Sequence, residues 1–537
     1  MKNVKHYALL GSLFLMTSMV CGCGDDGGNW GSADAMKANI GYATNSPDAS
    51  IAAENAEAYK PPAEEQSNDF EPKAFTNPRN APQSTFAADV DTASYTLFRL
   101  RVHNGMNPKI TDNNYGQPSP YRTEEMVNYF KYDYPAPIND EVISITTEYA
   151  PCPWNDQTKL LLIGTQTKKL ETTPASNLVF LVDVSGSMNN EQSLPLLKKS
   201  IIQFLPTMTE ADRVSIVTYA DGEKLVIDGA NPVKDRAKLE SAINNLKAGG
   251  STNGERGLEL AYETAQKHFI KDGNNRILMG TDGDLNVGIS SEEELKAYVE
   301  QKREQGIYLS ILGFGYGNFR DGLLETIADN GNGSYHYIDS TLEAERVLVE
   351  DRDSTLFVAA KDMKFQVSFN PEKVSGYRLI GYENRVMAAE DFADDTKDGG
   401  EVGVNHQVTV LYEIAEPGAD VAIDAYKEAS PAVVMPEFKN GEMASLAIRY
   451  KMPTGDAPSV ERTFSIDMPA AAMSNNMTFA SSVAEFSMLL NESKFAKSGS
   501  VDHVLTQLKS IPNSYYDKYK NEFIELVEAS KPLMTNK

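Results

Sequence analysis

Five oxygen-bearing side chains at three separated places in the chain could together hold a hard cation. Asp183, Ser185 and Ser187 stand at alternate positions in Leu181-Val182-Asp183-Val184-Ser185-Gly186-Ser187-Met188. Thr252 and Asp282 follow in Gly249-Gly250-Ser251-Thr252-Asn253 and Gly280-Thr281-Asp282-Gly283. Carboxylate and hydroxyl oxygens without His or Cys favour Mg²⁺ first and Mn²⁺ second, and so small a ligand set leaves part of an octahedral shell to water. If one carboxylate binds directly and the other through water, the ion keeps unneutralised charge. A partner protein's Asp or Glu can then complete the shell.

Positioning those oxygens is work for a sheet. Residues 177–184 are apolar and β-branched, as a buried strand is, and polar residues begin where that strand would reach solvent. Gly186 lets the backbone turn tightly there. Strand and helix patterns alternate over about 176–351, which predicts an α/β domain with a doubly wound, mostly parallel sheet. Strands are expected near Val179 and at 214–219, 224–227, 276–281 and 308–313. Helices are expected at 194–205, 235–246, 254–268, 292–303 and 321–328, with Ser290 and Glu293 forming a capping box. In such a sheet ligands gather beyond the carboxyl ends of the strands where the strand order reverses, so the three loops would meet there.

The order Asp183-x-Ser185-x-Ser187, then Thr252, then Asp282 resembles the metal-ion-dependent adhesion site of von Willebrand factor type A (VWA) domains, with all five positions matched. The resemblance implies a Rossmann-like fold, a divalent cation and protein binding through that cation. Residues 86–134 resemble the N-terminal companion domain of a bacterial lipoprotein family with this module at its centre, and residues 352–417 resemble that family's C-terminal region.

The chain is 537 residues long, which suits roughly three domains. Lys2 and Lys5 precede an apolar stretch at 7–20 that is too short to span a bilayer, the pattern of a cleaved signal. Val20-Cys21-Gly22-Cys23 resembles a bacterial lipobox, which implies lipidation of Cys23, a place in the cell envelope, and the outer membrane or cell surface ahead of the inner membrane. The expected divisions are a lipoprotein signal peptide at 1–22, a disordered tether at 23–84, a small α+β companion domain at 85–170, the VWA domain at 171–351, and a β-rich domain with terminal helices at 352–537. In the last of these, Phe479, Val483, Phe486 and Leu490 share one helical face, and Tyr515, Tyr519, Phe523 and Val527 share another. Asp91 or Thr92 should cap the first helix, and Asp89 and Asp91 read as turn and cap residues. Cys152 should be a small buried hydrophobe with no disulfide partner.

A net charge of −26 with no Lys/Arg stripe argues against a nucleic-acid partner. Nothing pairs a nucleophile with a base, so an enzyme is not expected. The alternative is a metal-dependent hydrolase, with Asp284 the available base. Asp282-x-Asp284-x-Asn286 with Glu293 has calcium-loop spacing but carries Val287 where such a loop needs glycine. A further alternative is intramolecular: Asp89, Asp91 or the acidic loop 390–398 could occupy the cation and hold the chain closed.

Overall fold

The structure, a computed structural model, describes residues 74–109, 120–251, 254–283, 292–315, 321–397, 399–425, 436–438, 441–453, 458–467 and 469–535. The signal peptide, Cys23, Thr252, Asp284, Ser290 and Asp398 lie outside the described residues.

Six strands build the sheet that carries the site, in the order Glu223–Ala230, Arg213–Tyr219, Ser176–Asp183, Asn274–Thr281, Ile307–Gly313, Tyr335–Tyr337. All neighbours are parallel except the first pair. Ser176–Asp183 and Asn274–Thr281 are buried along their whole length, which is why neither sequence alternates. Leu178, Phe180 and Val182 pack to one side with Leu197, Ile201 and Phe204, while Val179 and Leu181 pack to the other with Leu258, Tyr262 and Leu309. The α/β fold is therefore a sheet covered on both faces. Its order reverses at Ser176–Asp183, which has the earlier strand Arg213–Tyr219 on one flank and the later Asn274–Thr281 on the other. The helices stand close to their expected places, among them Leu194–Phe204, Arg236–Asn244 and Asp321–Asn330. The edge strand Tyr335–Tyr337 is too short to leave a periodic signal.

The segments on either side of this unit, expected as two domains, build common sheets. Gln83–Ala87 runs antiparallel to Val358–Phe369 with Phe86 opposite Phe365, and Lys159–Thr167 lies between Ile143–Pro151 and Gln407–Ala415. Neither segment supplies enough strands to bury a sheet face alone. The sheets face each other across a shared core, where Phe86 stacks on Phe365 at 5.3 Å and meets Tyr412 at 6.4 Å. On the outer face of the second sheet, Leu160, Leu162 and Leu411 pack against helices from both ends of the chain. These are Ala93–His103 and Thr123–Asn128 with Asn475–Leu490, Val501–Ser510 and Lys518–Thr535. Both predicted apolar stripes, from Phe479 to Leu490 and from Tyr515 to Val527, lie in this core. So does Cys152, whose thiol is pushed well above its ordinary range by burial, as an inert small hydrophobe requires.

Two expectations are corrected. Residues 74–84 are not tether. Phe75 is buried against Phe495, Thr76 bridges to Tyr377, and the Tyr377 hydroxyl donates to the Ala81 carbonyl at 2.9 Å. One buried aromatic orders a stretch that has no periodicity. Neither Asp91 nor Thr92 caps the first helix: the Ser94 N–H donates to Glu125 Oε2 at 2.7 Å instead. Asp89 does take a turn role, accepting the Asp91 N–H at 3.1 Å.

Arg99 joins all the parts. Its side chain is 1% exposed, and it donates to Asp339 Oδ2 (2.7 Å), Glu343 Oε2 (2.9 Å), Tyr129 Oη (2.9 Å) and Glu522 Oε2 (3.0 Å). Arg346 shares Glu343, donating to its other oxygen at 2.6 Å. The acids come from the central unit and the last helix, so one guanidinium holds three segments. Arg99→Ala strands Asp339 and Glu343 without that partner and is expected to cost about 3–5 kcal/mol, read as a fall in the urea midpoint. Glu522→Gln, at the solvent side of the network, should cost under about 1 kcal/mol.

Candidate metal centre at the strand ends

Asp183 ends its strand fully buried. Its Oδ1 accepts the Ser185 N–H at 2.8 Å, and its Oδ2 accepts the hydroxyls of Tyr219 (3.1 Å) and Thr281 (3.4 Å). The register dictates this set. Asp183 lies opposite Tyr219 on one neighbour, and Val182 lies opposite Gly280 on the other, so Tyr219, Asp183 and Thr281 end three adjacent strands. Burial pushes the Asp183 carboxyl up to about 6; the hydrogen bonds from Ser185 and Tyr219 oppose that rise, and the charge of Asp282 adds to it. No Lys, Arg or His pairs with Asp183 among the described residues.

The first two loops are stitched together by backbone. The Gly186 N–H donates to the Gly250 carbonyl at 2.9 Å, and the Gly249 N–H donates to the Val184 carbonyl at 2.8 Å. The Ser185 and Ser187 hydroxyls lie 3.0 Å apart. Gly250 has φ +91°, and a Cβ there would fall 2.5 Å from Asp221 Oδ2, so the position needs glycine twice over. Asp221 pins this loop from below, accepting both the N–H and the hydroxyl of Ser251 at 2.6 Å. The chain thus arrives beside Gly186 two residues before Thr252, which itself lies outside the described residues.

Asp282 directly follows Asn274–Thr281, near enough to Asp183 to raise its pKa. The backbone after Ile307–Gly313 closes that flank. A Cβ on Gly315 would stand 3.4 Å from the Asp282 Cβ and 2.5 Å from Ser193 Oγ, and the Gly315 N–H donates to the Gln192 carbonyl at 3.0 Å. Asp183, Ser185, Ser187 and Asp282 are therefore gathered at the reversal of strand order. Tyr219 and Asp221 were not expected from sequence. The sole hint of Asp221 is the Asp-Gly pair just after a strand, an ordinary turn signal.

Asp89, Asp91, Asp394 and Asp395 are engaged elsewhere than at this site. Asp89 and Asp91 pair with Arg385, Asp394 bonds Thr396, and Asp395 pairs with Arg449. Their own cationic and hydroxyl partners hold them elsewhere.

The donor set fits a hard divalent cation. Asp183 is a buried carboxylate lacking a cationic partner, two hydroxyls lie side by side next to it, and a second carboxylate is within electrostatic reach. Among the described residues no three Asp, Glu, His or Cys converge on one ion. Asp183, Ser185, Ser187 and Asp282 would hold the ion, which when bound would present positive charge at the protein surface. Without metal, the carboxyl raised from 3.8 to about 6 gives its full stabilising contribution below 3.8 and loses it as pH rises through about 6. In chelator, Asp183→Asn is therefore expected to match the wild type near pH 4 and to be about 1–3 kcal/mol more stable at pH 8, measured by urea unfolding at both pH values.

Residues 177–350 match the family described as von Willebrand factor type A domain, residues 61–162 match von Willebrand factor, and residues 354–533 match uncharacterized protein YfbK, C-terminal. The chain is 37% identical over 456 residues to the uncharacterized protein YfbK of Escherichia coli (strain K12), covering 83% of this chain and 78% of that protein. It is 28% identical over 191 residues to inter-alpha-trypsin inhibitor heavy chain H3 of Rattus norvegicus, covering 34% of this chain and 20% of that one. A solved von Willebrand factor type A structure from Catenulispora acidiphila is similar at 13% identity and a TM-score of 0.38, covering 73% of this chain and 98% of that one. On sequence, then, this chain belongs to the YfbK family and carries a von Willebrand factor type A domain at its centre.

Proposed function

We propose that this protein is a lipid-anchored binding protein of the bacterial cell envelope, which recognises a partner protein through a divalent cation held by Asp183, Ser185, Ser187, Thr252 and Asp282. The observation that carries the reading is the buried Asp183 carboxylate, which has hydroxyl neighbours, a second carboxylate nearby and, among the described residues, no cationic side chain against it. Mg²⁺ suits oxygen ligands with open water positions, and Mn²⁺ would serve in its place. With one of Asp183 and Asp282 bound directly and the other acting through water, the ion keeps unneutralised charge, and a partner's Asp or Glu completes the shell. Asp284, the base that a hydrolase would use, lies outside the described residues, and the carboxylates at the site, Asp183 and Asp282, are assigned to the ion in this reading.

The anchor rests on the lipobox-like Val20-Cys21-Gly22-Cys23. Among the described residues no helix is long and apolar enough to cross a membrane, so membrane attachment would fall to the lipid.

Added Mg²⁺ is expected to raise the melting temperature of the wild type by several degrees and to leave Asp183→Ala unmoved; an indifferent wild type removes the metal site. Capture of an envelope protein should be lost in chelator and restored by Mg²⁺. Labelled palmitate should enter the wild-type chain in cells and not Cys23→Ser, and label in both would move the anchor to another residue.

A further inference from the structure

Away from the strand ends, carboxylates outnumber arginines in one buried cluster. Arg385 lies 2.7 Å from Glu325, 3.3 Å from Asp91 and Asp329, and 3.4 Å from Asp89. Arg122 pairs with Glu125 at 2.7 Å and with Glu325 at 2.6 Å. Glu124 is 2% exposed; the Tyr382 backbone N–H eases its charge, but neither oxygen meets a partner among the described residues with good hydrogen-bond geometry. Asp91 Oδ1 is likewise buried without a hydrogen bond, and Asp89 Oδ2 has only the ion-pair separation from Arg385 Nε, with no hydrogen-bond geometry. Among the described residues two guanidiniums thus face six carboxylates. Burial pushes the carboxyls of Asp91, Glu124, Asp329 and Glu325 up, the last to about 7, with neighbouring carboxylates adding to the rise and the arginines opposing it for Asp91, Glu325 and Asp329. Such an excess of negative charge is relieved by protons or by a cation.

Room for a cation lies beside it. A cavity of about 220 Å³ is lined by Asp89, Asp91, Asp329, Glu401, Asn384 and Arg385. Val386, 43% exposed, also borders the cavity, and Val90 and Met387 give it an apolar wall. No three carboxylates among the described residues converge on one metal ion. The occupant that fits is one that spreads its donors and carries an apolar stem. We propose that this cavity is a binding site for an organic cation, with its ammonium head among Asp89, Asp91 and Asp329 and its alkyl stem against Val90 and Met387. The head could belong to a free amine or to a lysine side chain of a partner, and the chemistry of recognition is the same.

The test is isothermal titration of the full chain at pH 8 and low salt with two probes, cadaverine and acetyl-Gly-Lys-Gly-amide. KCl and CaCl₂ at matched ionic strength are the comparison. Saturable binding of one or both probes is expected, weakened at least tenfold by Asp329→Asn and by Asp91→Asn and unchanged in Glu210→Gln, a surface charge far from the cluster. Stronger binding of cadaverine assigns a free amine, and stronger binding of the peptide assigns a lysine side chain. The Asp329 side chain is 40% exposed, so Asp329→Asn disturbs the buried cluster less than Asp91→Asn does, and far-ultraviolet circular dichroism of each variant separates lost binding from lost folding. The proposal is overturned by no saturable heat with either probe, by equal affinity in wild type and Asp329→Asn, or by Ca²⁺ binding where both amines fail.

Discussion

A carboxylate that cannot leave the sheet and has no cation to lean on sets the terms for the centre of this molecule. Asp183 is fixed by its strand between two parallel neighbours, and its hydrogen-bond donors among the described residues are hydroxyls and a backbone N–H. Hydrogen bonds lower the cost of burying its charge without cancelling it. The nearby Asp282 adds to the burden. The strand end therefore holds a negative potential that the described protein atoms do not neutralise, while the loops around it are fastened to one another by Gly186, Gly249 and Gly250.

The remainder of the chain supports that sheet without touching the carboxylate. The β-sandwich and helical layer draw strands and helices from both flanks, and Arg99 locks them to Asp339 and Glu343 of the central unit. Fully satisfied buried networks of this kind fix a unique arrangement more than they add stability. The contrast with the cluster around Arg385 is instructive. There Asp89, Asp91 and Glu124 are as deeply buried, but several of their oxygens have no hydrogen-bond partner among the described residues.

How far the sequence disclosed this depended on whether a feature left a local mark. Strands buried on both faces read as unbroken apolar runs, so the sheet around Asp183 and the order of its loops were legible, as were the stripes through Phe479 and Phe523. The placing of Asp183, Ser185, Ser187 and Asp282 at or just beyond strand ends was legible for the same reason. Tyr219 and Asp221 were not, because a tyrosine that closes a strand and an aspartate in a turn are common, and only the register shows what they hold. The sharing of sheets between the two flanks was hidden too. Alternation says that Gln83–Ala87 and Val358–Phe369 each bury a face, but not that Phe86 meets Phe365.

That last pairing bears on how the chain reaches its native state. Phe86 leaves the ribosome a loop of roughly 280 residues ahead of Phe365, and non-local pairings of this kind make folding slow. The central sheet lies wholly inside that interval and has its own local contacts, so it can form while the early strand still waits. Until synthesis passes Phe369, Gln83–Ala87 offers an unpaired edge, the state in which strands invite aggregation. A chain built this way profits from an order of events in which Gln83–Ala87 is kept from foreign edges until Val358–Phe369 arrives to pair with it.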